Sequence, residues 1–540
     1  MLFNSFDFIF LFLPIVFAGF YFIGRRNQLA AAAWLTVASL CFYGWLSIKV
    51  LPLLLISIGA NYWFGGVLSN ANQTKKGKWY LYGAVSSNLA LLGYFKYAGL
   101  FVSSVNMGLQ KAGVPTLTVP HIILPIGISF YTFTQIAFLI DCWQGKVRER
   151  RLLHYALFVT YFPHLIAGPI LHHSQMMPQF AKASTYRINY DKLIVGVVIF
   201  TVGLIKKTLI ADPLSEYADL VFSIADKDAP ALSFYLAWAG VLSYTFQIYF
   251  DFSGYTDMAI GISLLFGINI PINFNSPYRA TSIIEFWRRW HISLSTFLRE
   301  YLYIPMGGNQ NGKFKRYLNL IITMLLGGLW HGASWNFLFW GGLHGCYLCI
   351  NHVWRKCFPT SDRWGRAYQS LSWLITFLSV CFAWVLFRAS TFDGAKRLYT
   401  AMVGLTEHNS EAFLAALRAL HADQVSSLVS IFYNGKILER DSVPAHIDAI
   451  EIVGFTIAWL YSTATEVLAA NHLDGVQYLL TAMVVALIPF NSNRLAASLN
   501  SEHHTVEKTY IFLCLTAALY YLISCIWIMN KHQVFIYFQF

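Results

Sequence analysis

The sequence predicts an all-α, polytopic transmembrane helical protein, and three observations carry that prediction. Of 540 residues, 57% are hydrophobic and 12% are charged, against about 25% charged in soluble domains. Too little polar surface is left to solvate a chain of this size. Apolar runs recur at Phe8 to Gly24, Leu29 to Ile48, Leu51 to Leu68 and Tyr510 to Trp527, each near the roughly 20 residues that cross a bilayer core as a helix. A transmembrane barrel would show short alternating segments instead. Finally, the basic residues behind the net charge of +12 collect in short loops, among them Arg25 and Arg26, Lys75 to Lys78, Lys146 to Arg151, and Arg355 with Lys356. That is the positive-inside bias of a membrane protein. Acidic headgroups are a sufficient partner for such loops, so nucleic acid is not implied.

The first run has Asp7 and no basic residue in its N-terminal flank. It therefore reads as an uncleaved first span with its N-terminus outside, not as a signal peptide. Spans follow at 29–48, 50–68 and 79–95, then a break at "KYAGLF" and around Gly108 to Pro120, and a span at 122–141 that returns to the basic loop 142–151. The segment 152–180 contains "YFPHLIAGPILHH". Pro and Gly at membrane depth need surrounding protein or a water-filled cavity, so a broken or re-entrant helix is expected. Spans at 193–211 and 230–268 come next. Residues 275–320 differ in kind: "RATSIIEFWRRWHISLSTFLREYLYIP" alternates aromatic and aliphatic residues with arginines at helical spacing, which predicts an amphipathic interfacial helix. Residues 316–353 are apolar but interrupted by Gly327, Gly328 and Gly332, and spans at 369–389, 449–467, 473–490 and 509–529 complete the chain. The whole reads as a single integral-membrane domain over 1–540, with N-terminal spans in 1–115, a core in 120–400, an extracytoplasmic loop at 404–448 and C-terminal spans in 449–540.

The eight cysteines lie in or beside apolar runs, so no disulfide framework is suggested. In "HGCYLCINH" the residues His344, Cys346, Cys349 and His352 point to several faces of one helix, whereas metal ligands must converge. No metal is expected.

Ionisable groups in a span cost about 2.5–3.5 kcal/mol on insertion scales and are functional candidates by default. Four clusters stand out. "TFQIYFDFSGYTDMAIG" carries Asp251 and Asp257; "PINFNSPYRA" carries Asn273, Asn275 and Arg279; "FWRRWHISLS" carries Arg288, Arg289 and His291; "LLGGLWHGASWNFLF" carries His331 between Trp330 and Trp335. The aspartates could simply pair with Arg279, Arg288 or Arg289, and His291 could be a headgroup-level residue. His331 is the sharpest case: flanking glycines permit a helix break and close backbone approach, and a neutral imidazole is the side chain suited to take a proton from a hydroxyl near pH 7.

The segments "FDFSGYTDMAIGIS", "NFNSPYRATSIIEFWRRWHISLSTFLREYLYIPMGGN" and "TMLLGGLWHGASWNFLFWGGLHG" together resemble the membrane-bound O-acyltransferase (MBOAT) family. More narrowly they are similar to its bacterial alginate O-acetyltransferase (AlgI-like) branch, with the D-alanyl transferases more distant. "LPIGISFYTFTQIAFLID", "FPHLIAGPI", "FAWVLFRA" and the final "FIYFQF" extend the resemblance along the chain. It implies an MBOAT fold of roughly a dozen spans around a central tunnel, with His331 as catalytic base and His291 assisting it or lining the same tunnel. It further implies an acyl thioester such as acetyl-CoA as donor from the cytoplasm, no bound cofactor, and a polysaccharide acceptor outside a bacterial inner membrane. A separate extracytoplasmic acetyltransferase is the implied partner.

Within that frame Asn275, or backbone N–H groups at Gly332, could hold an oxyanion, and Trp330 and Trp335 would wall the site. Asp251 or Asp257 could orient His291 or pair with Arg288. The sequence departs from the best-known alginate enzymes at "GPILHHSQMMPQF", with His172 and His173, so cellulose, peptidoglycan and other exopolysaccharides stand beside alginate. Two other functions remain open: a transporter or flippase, against which the lack of a visible internal repeat weighs, and a scaffold of a polysaccharide-export complex, for which His331 would be dispensable.

Overall fold

The computed structural model describes residues 2–166, 168–227, 232–358, 365–405 and 483, and among these the regular structure is all helical. The expected spans at 449–467 and 509–529 lie outside the described residues, as do the loop at 404–448 beyond Leu405 and the span at 473–490 apart from Met483.

Helix α1 (Asp7–Gly24) and α2 (Gln28–Leu46) form a hairpin across the basic pair Arg25–Arg26. Asn27 starts α2 by accepting the Ala30 N–H at 3.1 Å, a side-chain cap for one of the orphan donors of a helix start. Trp34 Nε1 donates to the Val16 carbonyl at 3.1 Å and ties the two together. Helix α3 (Leu51–Asn70) opens with Pro52 in its first turn, and α4 (Lys75–Leu92) is capped by Thr74. Asn61 and Asn88 join α3 to α4 by reciprocal amide bonds of 3.1 and 2.7 Å, the polar glue expected where apolar packing alone does not drive association. A π-helical turn, Gly93–Tyr97, leads into α5 (Ala98–Lys111).

Helix α6 (Ile128–Trp143) is followed by α7 (Leu152–Thr160), a single turn α8 (Phe162–Leu165) and α9 (His173–Phe180). The break expected at "YFPHLIAGPILHH" is present: Tyr161 leaves helical geometry at φ −49°, ψ 108°, and Pro163 lies in the restart. Then come α10 (Tyr190–Ile205), a π-helical turn at Lys206–Ala211, α11 (Asp212–Asp226) and α12 (Phe234–Leu265). The remaining elements are α13 (Ile283–Arg289), α14 (Ile292–Leu298), a π-helical turn at Arg299–Tyr303, α15 (Gly312–His331), α16 (Trp335–Cys357), α17 (Arg366–Arg388) and α18 (Phe392–Met402). Among the described residues five helical stretches are long and apolar enough to cross a membrane: Asp7–Gly24, Gln28–Leu46, Ile48–Asn70, Tyr190–Asp226 and Arg366–Arg388.

The chain divides into two compact units. The first takes the described residues up to Thr208 and from Phe250 to Leu378, the second Leu209–Tyr249 and the described residues from Ser379 onward. In the second unit Arg388 pairs with Asp219 at 2.6 Å and lies over the Phe222 ring. Asp226 accepts the Ser390 and Thr391 N–H groups at 3.0 Å each, so α11 fixes the chain between α17 and α18.

In the first unit, α10 and α12 meet glycine to glycine, Gly196 on Gly261 and Gly203 on Gly254. A Cβ at Gly203 would stand 2.5 Å from the Gly254 carbonyl oxygen and 2.7 Å from Met258 N. Small residues let membrane helices approach to this degree. The approach brings Lys206 against Asp257 and Lys207 against Asp251, both at 2.6 Å.

Candidate functional site

His331, His291 and His344 converge within the first unit, all essentially buried, with exposures of 3%, 0% and 0%. Three separate elements deliver them. His331 is the last residue of α15, and Gly332 continues in extended backbone at φ −162°, a conformation open to any residue. Glycine stands there for space, because a Cβ would run into the Phe337 ring. Gly327 and Gly328 do not interrupt the helix, contrary to the expectation that they open it. Gly328 instead packs on α16, where a Cβ would come within 3.1 Å of Gly341. The close crossing seats Trp340 of α16 perpendicular to the His331 imidazole, ring centroids 5.2 Å apart.

The carbonyl end of α15 is capped from elsewhere in the chain. Tyr97 donates its hydroxyl to the Leu329 carbonyl at 2.7 Å. Lys96 Nζ donates to the carbonyl of Trp330, to that of His331 at 3.3 Å, and to Ser129 Oγ at 3.3 Å. These are the orphan acceptors of a helix terminus.

His291 lies at the junction of α13 and α14 in the left-handed region, φ 43°, ψ 56°. Such a conformation costs a non-glycine residue of order 1–3 kcal/mol and persists where neighbours over-determine it. Asn273 does so here. Its Oδ1 contacts His291 Nδ1 at 3.2 Å and accepts from Ser293 N at 3.1 Å and Ser293 Oγ at 2.9 Å, while its carbonyl accepts the Ile292 N–H at 2.9 Å. The interfacial helix expected over residues 279–305 is instead broken at His291 into α13 and α14, followed by the π-helical turn, and its aromatic face is buried: Phe286, Trp290 and His291 are 0–1% exposed. The Trp and Arg pattern was compatible with headgroup anchoring, but the Asn273 clamp turns the aromatic face into the protein.

The His291 and His331 rings have centroids 6.3 Å apart. Around them stand Phe252 at 4.8 Å and Trp330 at 5.9 Å from His291, and Trp330 at 5.0 Å from His331. His344 lies beyond Trp340, centroids 4.8 Å apart, and accepts the Trp287 Nε1–H at 3.3 Å. The two imidazoles are buried together among aromatic rings at an interplanar angle of 59°, and a neutral imidazole can take a proton from a hydroxyl.

From Trp330 a series of stacked rings leads away from the histidines. Trp330 stacks on Phe133 at 5.6 Å, Phe133 on Phe297 at 4.6 Å, Phe297 tilts on Tyr301 at 5.1 Å, and Tyr301 stacks on His172 at 5.5 Å. Tyr301 donates to Asp141 Oδ2 at 2.8 Å, and His173 Nδ1 meets the same oxygen at 3.2 Å. The pair His172 and His173, flagged by sequence, thus sits beside the basic loop 142–151.

Several sequence candidates fall elsewhere. Asn275 is exposed, its carbonyl taking Arg289 at 3.3 Å; Asn273, two residues earlier, makes the contact with His291. Asp251 and Asp257 pair with Lys207 and Lys206 rather than with Arg288 or Arg289, because the glycine crossing sets those lysines against α12. Arg288 is exposed, and Arg289 pairs with Glu285 at 2.7 Å. Trp335 is 46% exposed and bonds Ser104 Oγ at 3.2 Å, so Trp340 provides the wall that Trp335 was expected to form. Sequence reasoning missed Lys96, whose signal was a lone lysine in an apolar segment, and treated His344 as inert.

The family model for MBOAT, the membrane-bound O-acyltransferase family, matches residues 129–391. The chain is 46% identical over 440 residues to the peptidoglycan O-acetyltransferase of Helicobacter pylori, covering 75% of this chain and 80% of that protein. The chain belongs to the membrane-bound O-acyltransferase family. It is a multi-pass membrane O-acyltransferase. A probable alginate O-acetylase AlgI of Azotobacter vinelandii is similarly alike, 46% identical over 407 residues that make up 74% of this chain and 78% of the relative. The teichoic acid D-alanyltransferase of Bacillus subtilis is more distant, 29% identical over 290 residues, 51% of this chain and 71% of the relative. The clustered histidines His291, His331 and His344 all fall inside the stretch the family model matches.

Asn273→Ala removes the acceptor that holds residues 291–293 and should lower acyl-transfer turnover about 100-fold, the scale of a misplacement near 1 Å, with the protein still recovered from membranes. Unchanged turnover would show that the left-handed turn holds His291 without Asn273.

Proposed function

We propose that this O-acyltransferase moves an acetyl group from a cytoplasmic thioester, acetyl-CoA or a similar donor, through the bacterial inner membrane for O-acetylation of an extracytoplasmic polysaccharide. The observation that carries the reading is the pair of buried imidazoles, His331 and His291, with ring centroids 6.3 Å apart among aromatic rings. Its chemistry is acyl transfer. The acceptor hydroxyl gives its proton to His331 as its oxygen forms a bond to the thioester carbonyl carbon. The C–S bond then breaks, and the leaving thiolate takes the proton back from the imidazolium.

The carbonyl oxygen becomes an oxyanion in between, and in known cases one preorganised donor to such an oxygen is worth about 3–4 kcal/mol. Asn273 takes the place of Asn275 as candidate donor, since its Nδ2 is buried and has no partner among the described residues. The stacked rings from Trp330 to His172 support a narrow, apolar wall for the donor arm, ending beside the basic loop 142–151 that the charge bias assigns to the cytoplasm. The names of the two relatives at 46% identity support acetyl as the group and a polysaccharide as the acceptor. The chain would work with a separate extracytoplasmic acetyltransferase that completes delivery to the polymer.

Radiolabelled acetyl-CoA supplied to the cytoplasmic face of membrane vesicles from the native strain, which carry this chain, its extracytoplasmic partner and envelope polymer, tests the reading. Base-labile label should appear in the polymer fraction, above vesicles from a strain lacking the chain. Label accumulating in unesterified form across the membrane would replace the enzyme reading with a transporter.

A further inference from the structure

Lys96 is a buried lysine in an apolar part of the chain, at the end of a π-helical turn, and every one of its close partners belongs to the reaction centre or its support. A helix that ends inside a membrane protein has carbonyls that water cannot reach, and each must find a donor. The end of α15 finds them in two consecutive residues. Lys96 Nζ bonds the carbonyls of Trp330 and His331, and the Tyr97 hydroxyl bonds that of Leu329 at 2.7 Å. A basic group also complements the negative end of a helix dipole. The π turn at Gly93–Tyr97 matters because its wider winding brings neighbouring side chains closer to one face than an α-helix does, and such turns recur at functional sites. Ser129 Oγ holds the amine from the α6 side at 3.3 Å.

We propose that Lys96 is a positioning residue for His331: with Tyr97 it fixes the terminal turn of α15, and thereby the angle at which the imidazole meets Trp340 and His291. The inference rests on His331 being the base of the reaction. Lys96 bonds the backbone of the reacting residue, so its loss would displace the imidazole while leaving the imidazole itself present.

The test uses full-length protein in membrane vesicles with acetyl-CoA as donor, comparing wild type, Lys96→Met, Lys96→Arg, Tyr97→Phe and His331→Ala, each normalised to folded protein. Lys96→Met should lower kcat about 100-fold while KM for acetyl-CoA stays within about two-fold. Lys96→Arg, which keeps a cationic donor, should recover most of that loss. Should Lys96→Met not fold, the decision passes to Tyr97→Phe, which removes one hydroxyl and is expected to lower kcat several-fold at unchanged KM. Wild-type kcat in the folded Lys96→Met or in Tyr97→Phe, or a rise in KM alone, overturns the inference while leaving an inactive His331→Ala to uphold the base. Activity retained in His331→Ala overturns both.

Discussion

His331→Ala is expected to bring ester-linked acetate on the envelope polymer down to the level of a strain lacking the chain, at matched membrane abundance. A positioned general base contributes about 10²–10⁴-fold, enough to make residual transfer indistinguishable from background in cells. The substitution also removes a ring from contact with Trp330, His291 and Trp340, so His331→Gln belongs beside it. Glutamine refills part of the space and can hydrogen-bond, but it cannot accept and return a proton, and it should be as inactive as alanine. His291→Ala should be milder, because Nδ1 of that ring is engaged with Asn273 at 3.2 Å and its part in the reaction is to support or line the site. Wild-type acetate in both His331 variants would remove the base and favour a scaffold role. Acetate restored by glutamine alone would assign His331 to shape rather than proton transfer.

Asp251→Asn is expected to cost the most stability. Asp251 and Lys207 are 2.6 Å apart with side chains 3% and 2% exposed. Breaking a buried pair from one side leaves an uncompensated charge and typically costs about 3–5 kcal/mol, whereas replacing both partners by apolar residues of similar volume is often neutral or stabilising. Folded protein after a heat challenge, followed by size-exclusion in detergent, should fall sharply for Asp251→Asn and return toward wild type in Asp251→Leu combined with Lys207→Met. Arg288→Ala, which removes one of the partners that sequence reasoning offered for this carboxylate, should have little effect because Arg288 is exposed. A single variant as heat-resistant as wild type would show that the pair is not holding α12 to the Lys206–Ala211 turn.

The polytopic helical class was legible because it depends on sums: too few charges, runs of membrane length and basic residues gathered in loops need no knowledge of which helix meets which. The broken segment around Tyr161 was legible for a similar reason, since Pro163 acts on its own backbone. His331 and His291 could be picked out because an imidazole in an apolar run, and motifs long enough to identify a family, are properties of the linear chain.

Tertiary structure alone decided the rest. Asp251 reads identically whether its partner is Arg288 or Lys207, and only the Gly203–Gly254 crossing chooses between them. Trp335 lies nearer His331 in sequence than Trp340 does, yet α16 turns Trp335 outward and Trp340 onto the imidazole. Lys96 carries no motif; its meaning comes from the carbonyls of residues more than two hundred positions away. Composition and periodicity are sums over neighbours along the chain, while the contacts of a buried polar group depend on the angle at which two distant helices cross.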